Sequence, residues 1–208
     1  AVSDLEVSSE EEDGNLWFFK YPLLDKGHVT LATTRPETML GDTAIAVNPK
    51  DARFKKLIGK KVLLPLSKRE IPIIQDNYVD PEFGTGCVKL TPAHDFNDFE
   101  IWKRHKLSSI NILNLNGTLS KEVTKAYQCL FVLEARKKVI KEMEDLGLLE
   151  KVQPHKTNIP RGDRSNSILE PLLTYQWFLD VKSMSKVAIN VVKKGQTEFV
   201  PKNWENYY

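Results

Sequence analysis

Gly84-Thr85-Gly86-Cys87-Val88-Lys89-Leu90-Thr91-Pro92-Ala93-His94-Asp95-Phe96-Asn97-Asp98-Phe99-Glu100 compresses a turn, a strand, a polar loop and a helix start into seventeen positions. Gly84 and Gly86 permit positive φ and close backbone approach. Cys87 to Leu90 reads as a short strand, and Pro92 stops it. Asp95 or Asn97 can cap the helix that follows, because a short side-chain oxygen accepts a free first-turn amide. Lys89, Asp95 and Asp98 are candidate substrate groups. Asp98 falls in the first helical turn, where the positive end of the dipole is expected to keep it ionised and able to hold an ammonium group.

Working outward, strands are expected over Leu16–Tyr21, His28–Thr33, Ala44–Val47, Val62–Leu64, Ile71–Ile74 and Ile110–Leu115. Gly27 marks a hairpin turn. Ser8 to Gly14 reads as acidic and turn-like. Thr33 to Thr43 is a polar loop among apolar strands. Within it Arg35 precedes proline and is held extended, which can aim its guanidinium at a phosphate, a carboxylate or a ribose. The plainer reading is a capping box, Thr34-x-x-Glu37, opening a short helix. Arg53 to Arg69 is rich in cations, which suits a solvated face or a phosphate backbone. Val132, Ala135, Val139, Met143 and Leu146 form a helical core stripe, closed by Gly147. After Pro154 the chain turns polar, and Ser185–Lys194 reads as a short helix. We therefore expect an α+β fold with a curled, mostly antiparallel core, divided into residues 1–150 and a C-terminal extension, 151–208.

The 208 residues are 41% hydrophobic, enough for a proper core, with a net charge of +2. That balance does not call for nucleic acid by itself, although a basic stripe can hide within it. Two distant cysteines argue against a disulfide scaffold. Cys87 and Cys129 read as small buried hydrophobes. No apolar run approaches membrane-spanning length and there is no signal-peptide pattern. A cytoplasmic monomer cut from a longer protein is expected. His94-Asp95-x-x-Asp98 has the residue types of a metal site but no second His or Cys ligand nearby.

Three motifs carry a family resemblance. Ala32-Thr33-Thr34-Arg35-Pro36-Glu37-Thr38-Met39-Leu40-Gly41-Asp42-Thr43-Ala44 resembles the first editing motif of the valyl-tRNA synthetases. Phe83 through Phe99 resembles the second. Ile168-Leu169-Glu170-Pro171-Leu172-Leu173-Thr174-Tyr175-Gln176-Trp177-Phe178 resembles the run by which the inserted editing domain returns to the synthetase body. Isoleucyl and leucyl enzymes share the glycine turn and the Asp98 position, but not Arg-Pro-Glu-Thr-Met. Cys87 stands where the family commonly has Ala, and Asn166 where it has Gly. The HIGH and KMSKS signatures of ATP chemistry are absent, since Lys182-Ser183-Met184-Ser185-Lys186 lies in the wrong context.

The resemblance implies a barrel-like core ringed by helices, with the chain leaving and re-entering its host at one place. It implies hydrolysis of a threonyl ester on the 3′ end of tRNA(Val), with the rest of the synthetase in cis. It implies no cofactor in this piece, and ATP and Mg²⁺ only for the parent valine–tRNA ligase. Asp98 would hold the α-amino group, Lys89 and Asp95 would read the side chain, all three would serve catalysis, Arg35 and Thr38 would position the adenosine, and Phe83 and Thr91 would be walls. Threonine and valine are near-isosteres, so a hydrophobic pocket separates them poorly, a limit for which the valyl enzymes are themselves the standard example. A polar second site reverses the preference, because valine would leave its buried polar groups unpaired. A tRNA-docking module without chemistry and a metal-dependent hydrolase are the competing readings.

Overall fold

A computed structural model describes residues 2, 4–175, 177 and 179–207. Its strands are β1 (Val7–Pro22), β2 (His28–Thr33), β3 (Ala44–Val47), β4 (Lys61–Leu63), β5 (Glu70–Gln75), β6 (Cys87–Leu90) and β7 (Leu149–Gly162). Its α-helices are α1 (Phe96–His105), α2 (Val132–Asp145) and α3 (Lys182–Lys193). Two compact units result, residues 1–173 and 174–208. In the second, α3 buries none of its residues.

The larger unit holds two sheets. One has the order β2-β1-β7 and is antiparallel throughout. The other has the order β4-β5-β3-β6 and is mixed, with β3 parallel to β5 and antiparallel to β6. A bridge between Leu23 and Val62 links the first sheet to β4. Among the described residues the strands do not close into a ring: β2 and β6 are both sheet edges. The α+β class therefore holds, while the expected barrel is two linked sheets left open between β2 and β6.

The core follows from alternation on these strands and a stripe on α2. Phe19, Tyr21, Val29 and Leu31 pack with Ile45, Val47, Ile71 and Ile73, and Val132, Ala135, Val139 and Met143 cover them. Leu146, expected in that stripe, is exposed, because the helix ends at Asp145 before its side chain can turn inward.

Four other expectations differ from the structure. Ser8–Gly14 is strand, because residues 7–16 pair with 153–162 of β7. That long ribbon sets Val7 opposite Gly162. Its acids meet cations across the pair: Arg161 donates to Glu12 at 2.6 Å and Lys156 to Glu11 at 2.6 Å. The expected division after residue 150 thus falls inside β7, and the compact unit runs on to Leu173. Ile110–Leu115 forms no ladder, only an isolated bridge from Leu113 to Leu119. Cys129 is exposed at φ 65°, in a turn rather than a core. In the basic stretch, Arg53 pairs with Asp51, Lys60 with Asp25 and Lys61 with Glu70, and Arg69 donates to the Leu40 carbonyl, so much of its charge is met locally.

Gly86 shows why the organising turn needs glycine. Its φ is 77°, and a Cβ there would collide with the Arg53 guanidinium and lie 3.1 Å from both an Asp51 carboxylate oxygen and the Pro81 carbonyl. Gly86→Ala is expected to lower stability by about 1–3 kcal/mol through left-handed strain and this crowding. Chemical denaturation checks it, and an unchanged midpoint would contradict the account.

Candidate functional site

The opening between β2 and β6 is a cavity of about 410 Å³. Each group on its wall has a local cause. Alternation on β6 puts Cys87 and Lys89 on one face. Arg35 precedes a two-turn 3-10 helix, Pro36–Gly41, which places Thr38 one turn later. Asp95 caps α1: its Oδ1 accepts from Asn97 N at 2.9 Å and Asp98 N at 3.2 Å. The cap turns Asp98 inward at the third helical position. Arg35, Thr38, Phe83, Lys89, Thr91, Asp95 and Asp98, all seven residues singled out in the sequence, line this one cavity.

Their environments differ. Thr38 and Thr91 are buried, Asp95 is exposed and Phe83, 72% exposed, stands at the rim. Lys89 does not end in open space. Its ammonium donates to Asp42 Oδ1 at 2.9 Å and to Thr91 Oγ1 at 2.6 Å. Thr91 in turn donates to Asp42 Oδ1 at 2.6 Å, and Tyr21 donates its phenol to Asp42 Oδ2 at 2.8 Å. Asp42 is 0% exposed. Burial pushes its carboxyl up, while the Lys89 charge and the hydrogen bonds from Thr91, Lys89 and Tyr21 pull the other way. The sequence reading missed Asp42 as a site group. The signal was present, a carboxylate ending the polar loop, but its partners lie 21, 47 and 49 positions away.

Asp98 departs from its expected state. Its Oδ2 accepts from Thr91 N at 2.8 Å, which favours the anion. Burial weighs more, with Asp95 adding repulsion, and its carboxyl is pushed up to about 7. Desolvation of a side chain 7% exposed outweighs the helix dipole, worth typically 0.3–1 kcal/mol. Filled by a cationic group, the same position would return to the carboxylate.

Arg35 is held on both sides. Its backbone N–H donates to Thr33 Oγ1 at 3.0 Å, one guanidinium nitrogen to the His94 carbonyl at 2.9 Å, and another to Glu170. Glu37 does not complete the capping box with Thr34. It is 1% exposed and takes a fork of bonds from Arg136 at 2.7 and 2.9 Å. Residues 168–173 form a strap under the site: Glu170 meets Arg35, the Pro171 carbonyl accepts from His94 Nδ1 at 3.0 Å, and Leu173 N donates to the Ala93 carbonyl at 2.9 Å. Gln176 and Phe178 of the third motif lie outside the described residues.

His94 is fully buried, with both ring nitrogens engaged: Nε2 accepts from Ile112 N at 2.9 Å. Burial brings it down to about 4. It is a neutral structural pin, with no lone pair left for a metal or a proton. Burial pushes the Cys87 thiol up to about 12, so it offers no thiolate at neutral pH. No group of three His, Cys, Asp or Glu residues that could hold a metal ion occurs among the described residues. No described helix is long and apolar enough to cross a membrane. Leu16 and residues 155–158, from the β1–β7 ribbon, complete the wall. They were missed because nothing local marks one strand as the neighbour of another 140 positions away.

Residues 52–136 match the family model described as leucyl-tRNA synthetase, editing domain. The whole chain is similar to curated valine–tRNA ligases. It is 56% identical over 209 residues to that of Legionella pneumophila (strain Lens), 54% over 209 to that of Francisella tularensis subsp. tularensis (strain SCHU S4 / Schu 4), and 53% over 216 to that of Dechloromonas aromatica (strain RCB). In each case all of this chain is covered, and it spans 23% of the relative's length.

The buried Asp98 generates a test by proton linkage. Its folded value lies above the ordinary carboxylate value of 3.8, so the folded state binds more protons between pH 4 and 7, and stability falls as pH rises through that window. Roughly three units correspond to at most about 4 kcal/mol. Asp98→Asn keeps the acceptor for Thr91 N without the charge. Its stability relative to the parent is expected to rise from pH 4 to 7 and then level off. Urea unfolding at several pH values measures this, and parallel pH curves would contradict it.

Proposed function

We propose that this chain, which belongs with the editing domains of the valyl-tRNA synthetases, hydrolyses threonyl esters mistakenly formed on tRNA(Val). The observation that supports it best is the Lys89–Asp42–Thr91 cluster set into a buried wall beside Asp98. Lys89 uses two of its three donors within the cluster, leaving one for a substrate hydroxyl. Valine would leave that donor desolvated and unpaired, at a cost of about 1–3 kcal/mol, more for a charged group.

In this reading Asp98 receives the α-ammonium, and the incoming cation restores its carboxylate. Asp95, exposed at the helix start, keeps Oδ2 free to face the ester and its water. Arg35 and Thr38 position the adenosine, and Phe83 borders the mouth. An aminoacyl ester is already activated, so holding it and a water in attack geometry supplies much of the acceleration. The ribose hydroxyl next to the ester orients that water, with Asp95 or Asp98 assisting. Covalent catalysis is disfavoured by the neutral Cys87 and by the engaged ring of His94. The metal-dependent alternative loses its only histidine ligand for the same reason. A docking module without chemistry has no use for a buried carboxylate held near neutrality.

The test is deacylation of threonyl-tRNA(Val) and valyl-tRNA(Val) by this chain. The threonyl ester should be cleaved preferentially, and chelator should leave the rate unchanged. Asp98→Ala should lower kcat/KM by about 10²–10³-fold, the scale of losing a buried charge pair. Lys89→Met should erode the preference for threonine by about tenfold or more. An Asp98→Ala protein as fast as the parent, or a reaction stopped by chelator, would overturn the reading.

A further inference from the structure

The phenol of Tyr21 is a buried group to which the proposed chemistry gives no part. Tyr21 lies on β1, 1% exposed, and its hydroxyl donates to Asp42 Oδ2 at 2.8 Å. Burial pushes the phenol well above its ordinary range, so it stays a donor at any working pH. A buried hydroxyl has to find an acceptor. What sets this one apart is the acceptor it finds. The two oxygens of Asp42 are divided between core and site. Oδ2 takes the strand residue Tyr21, and Oδ1 takes Lys89 Nζ at 2.9 Å and Thr91 Oγ1 at 2.6 Å.

That division matters because a carboxylate turns easily about its last torsion, whose profile is broad and two-fold rather than three sharp wells. Two donors on Oδ1 alone would leave the carboxylate plane free to swing. Among the described residues Tyr21 alone donates to Oδ2, and it does so from the other sheet. The charges that face Asp42 are Lys89 from β6, Arg69 from the segment before β5 and the Asp98 carboxyl of α1. Arg69 is committed to the Leu40 carbonyl at 2.7 Å, so it does not take over the second oxygen. With the plane fixed, Asp42 and Thr91 fix two of the three N–H directions of the Lys89 ammonium. Tetrahedral geometry then fixes the third.

We propose that Tyr21 is a positioning residue: from the core of the first sheet it sets the plane of the Asp42 carboxylate, and through Asp42 it aims the Lys89 donor that tells threonine from valine. The discrimination rests on the editing reading; the coupling of Tyr21 to Lys89 does not. Tyr21 does not line the site cavity, so its effect on discrimination passes through Asp42.

Tyr21→Phe removes only the hydroxyl. Its preference for threonyl- over valyl-tRNA(Val), taken as the ratio of kcat/KM values, should fall about three- to tenfold, the range of one hydrogen bond. In the same variant the Asp42 carboxyl, followed by carbon NMR, should titrate at higher pH, because the phenol is one of the groups that hold it down against burial. The ammonium nitrogen signal of Lys89 should shift with it. Val29→Ala is the control for a loosened sheet. Val29 pairs with Tyr21 across β1 and β2 and packs in the same core without bonding Asp42, so its loss should leave the preference in place. In an Asp42→Asn background Tyr21→Phe should cost no further preference, since the route is already cut. An undiminished preference in Tyr21→Phe, an equal loss in Val29→Ala, or additive losses with Asp42→Asn would overturn the proposal. The hydrolysis and the NMR separate the two claims. A parent that prefers the threonyl ester, with a Tyr21→Phe protein that keeps both the preference and the Asp42 and Lys89 signals, leaves the editing reading standing and removes the positioning role. A parent without preference, whose Asp42 and Lys89 signals still move in Tyr21→Phe, removes the editing reading and keeps the coupling.

Discussion

One buried carboxylate ties the molecule together. Asp42 has no exposure and takes hydrogen bonds from Tyr21 on β1, Lys89 on β6 and Thr91 just beyond β6. It therefore links a strand of each sheet to the loop that carries Arg35 and Thr38. A charge removed from water costs several kcal/mol unless its partners are complete, so these positions specify one another. With the bonds made, β6 is held across from β1 without a ladder between β2 and β6. The sheets stay open at that edge, and the opening is the site.

The same economy recurs on the other side of the cavity. Glu37 and Glu170 sit between Arg136 and Arg35, and the strap of residues 168–173 is stitched to His94 and Ala93. A histidine that looks like chemistry in the sequence is spent holding the backbone of Pro171 and Ile112. An arginine that looks free is aimed by a carboxylate 135 positions away. The polar residues of this site are thus mostly satisfied by one another. What remains open toward the cavity is a small set of groups: one Lys89 donor, the Asp98 carboxyl and the second oxygen of Asp95.

Local chemistry made much of this legible. Strands β2 and β6 follow from apolar patterning between turn residues, β3 from a continuous apolar run, and α1 begins after Asp95 because a short carboxylate caps free amides. All seven groups singled out lie in the two motifs at Ala32–Ala44 and Phe83–Phe99, and all seven line the one cavity. Ser8–Gly14 and 149–162 were not legible as strands. Glu, Asp, Lys and Pro resist strand assignment one residue at a time, and only their mutual pairing makes the ribbon.

The sequence by itself determined the short-range facts: where chain direction changes, where glycine is obligatory, which segment caps a helix, and which family the motifs resemble. Tertiary structure alone decided the states of the groups. Asp98 sits near neutrality rather than fully ionised because burial there exceeds what a helix dipole can offset. Lys89 is a fixed donor rather than a solvated cation because Asp42 waits 47 positions away. The reason is physical. Caps and turns depend on neighbours within a few residues, whereas desolvation and ion pairing depend on whatever the fold brings near, and that is set by the packing of two sheets.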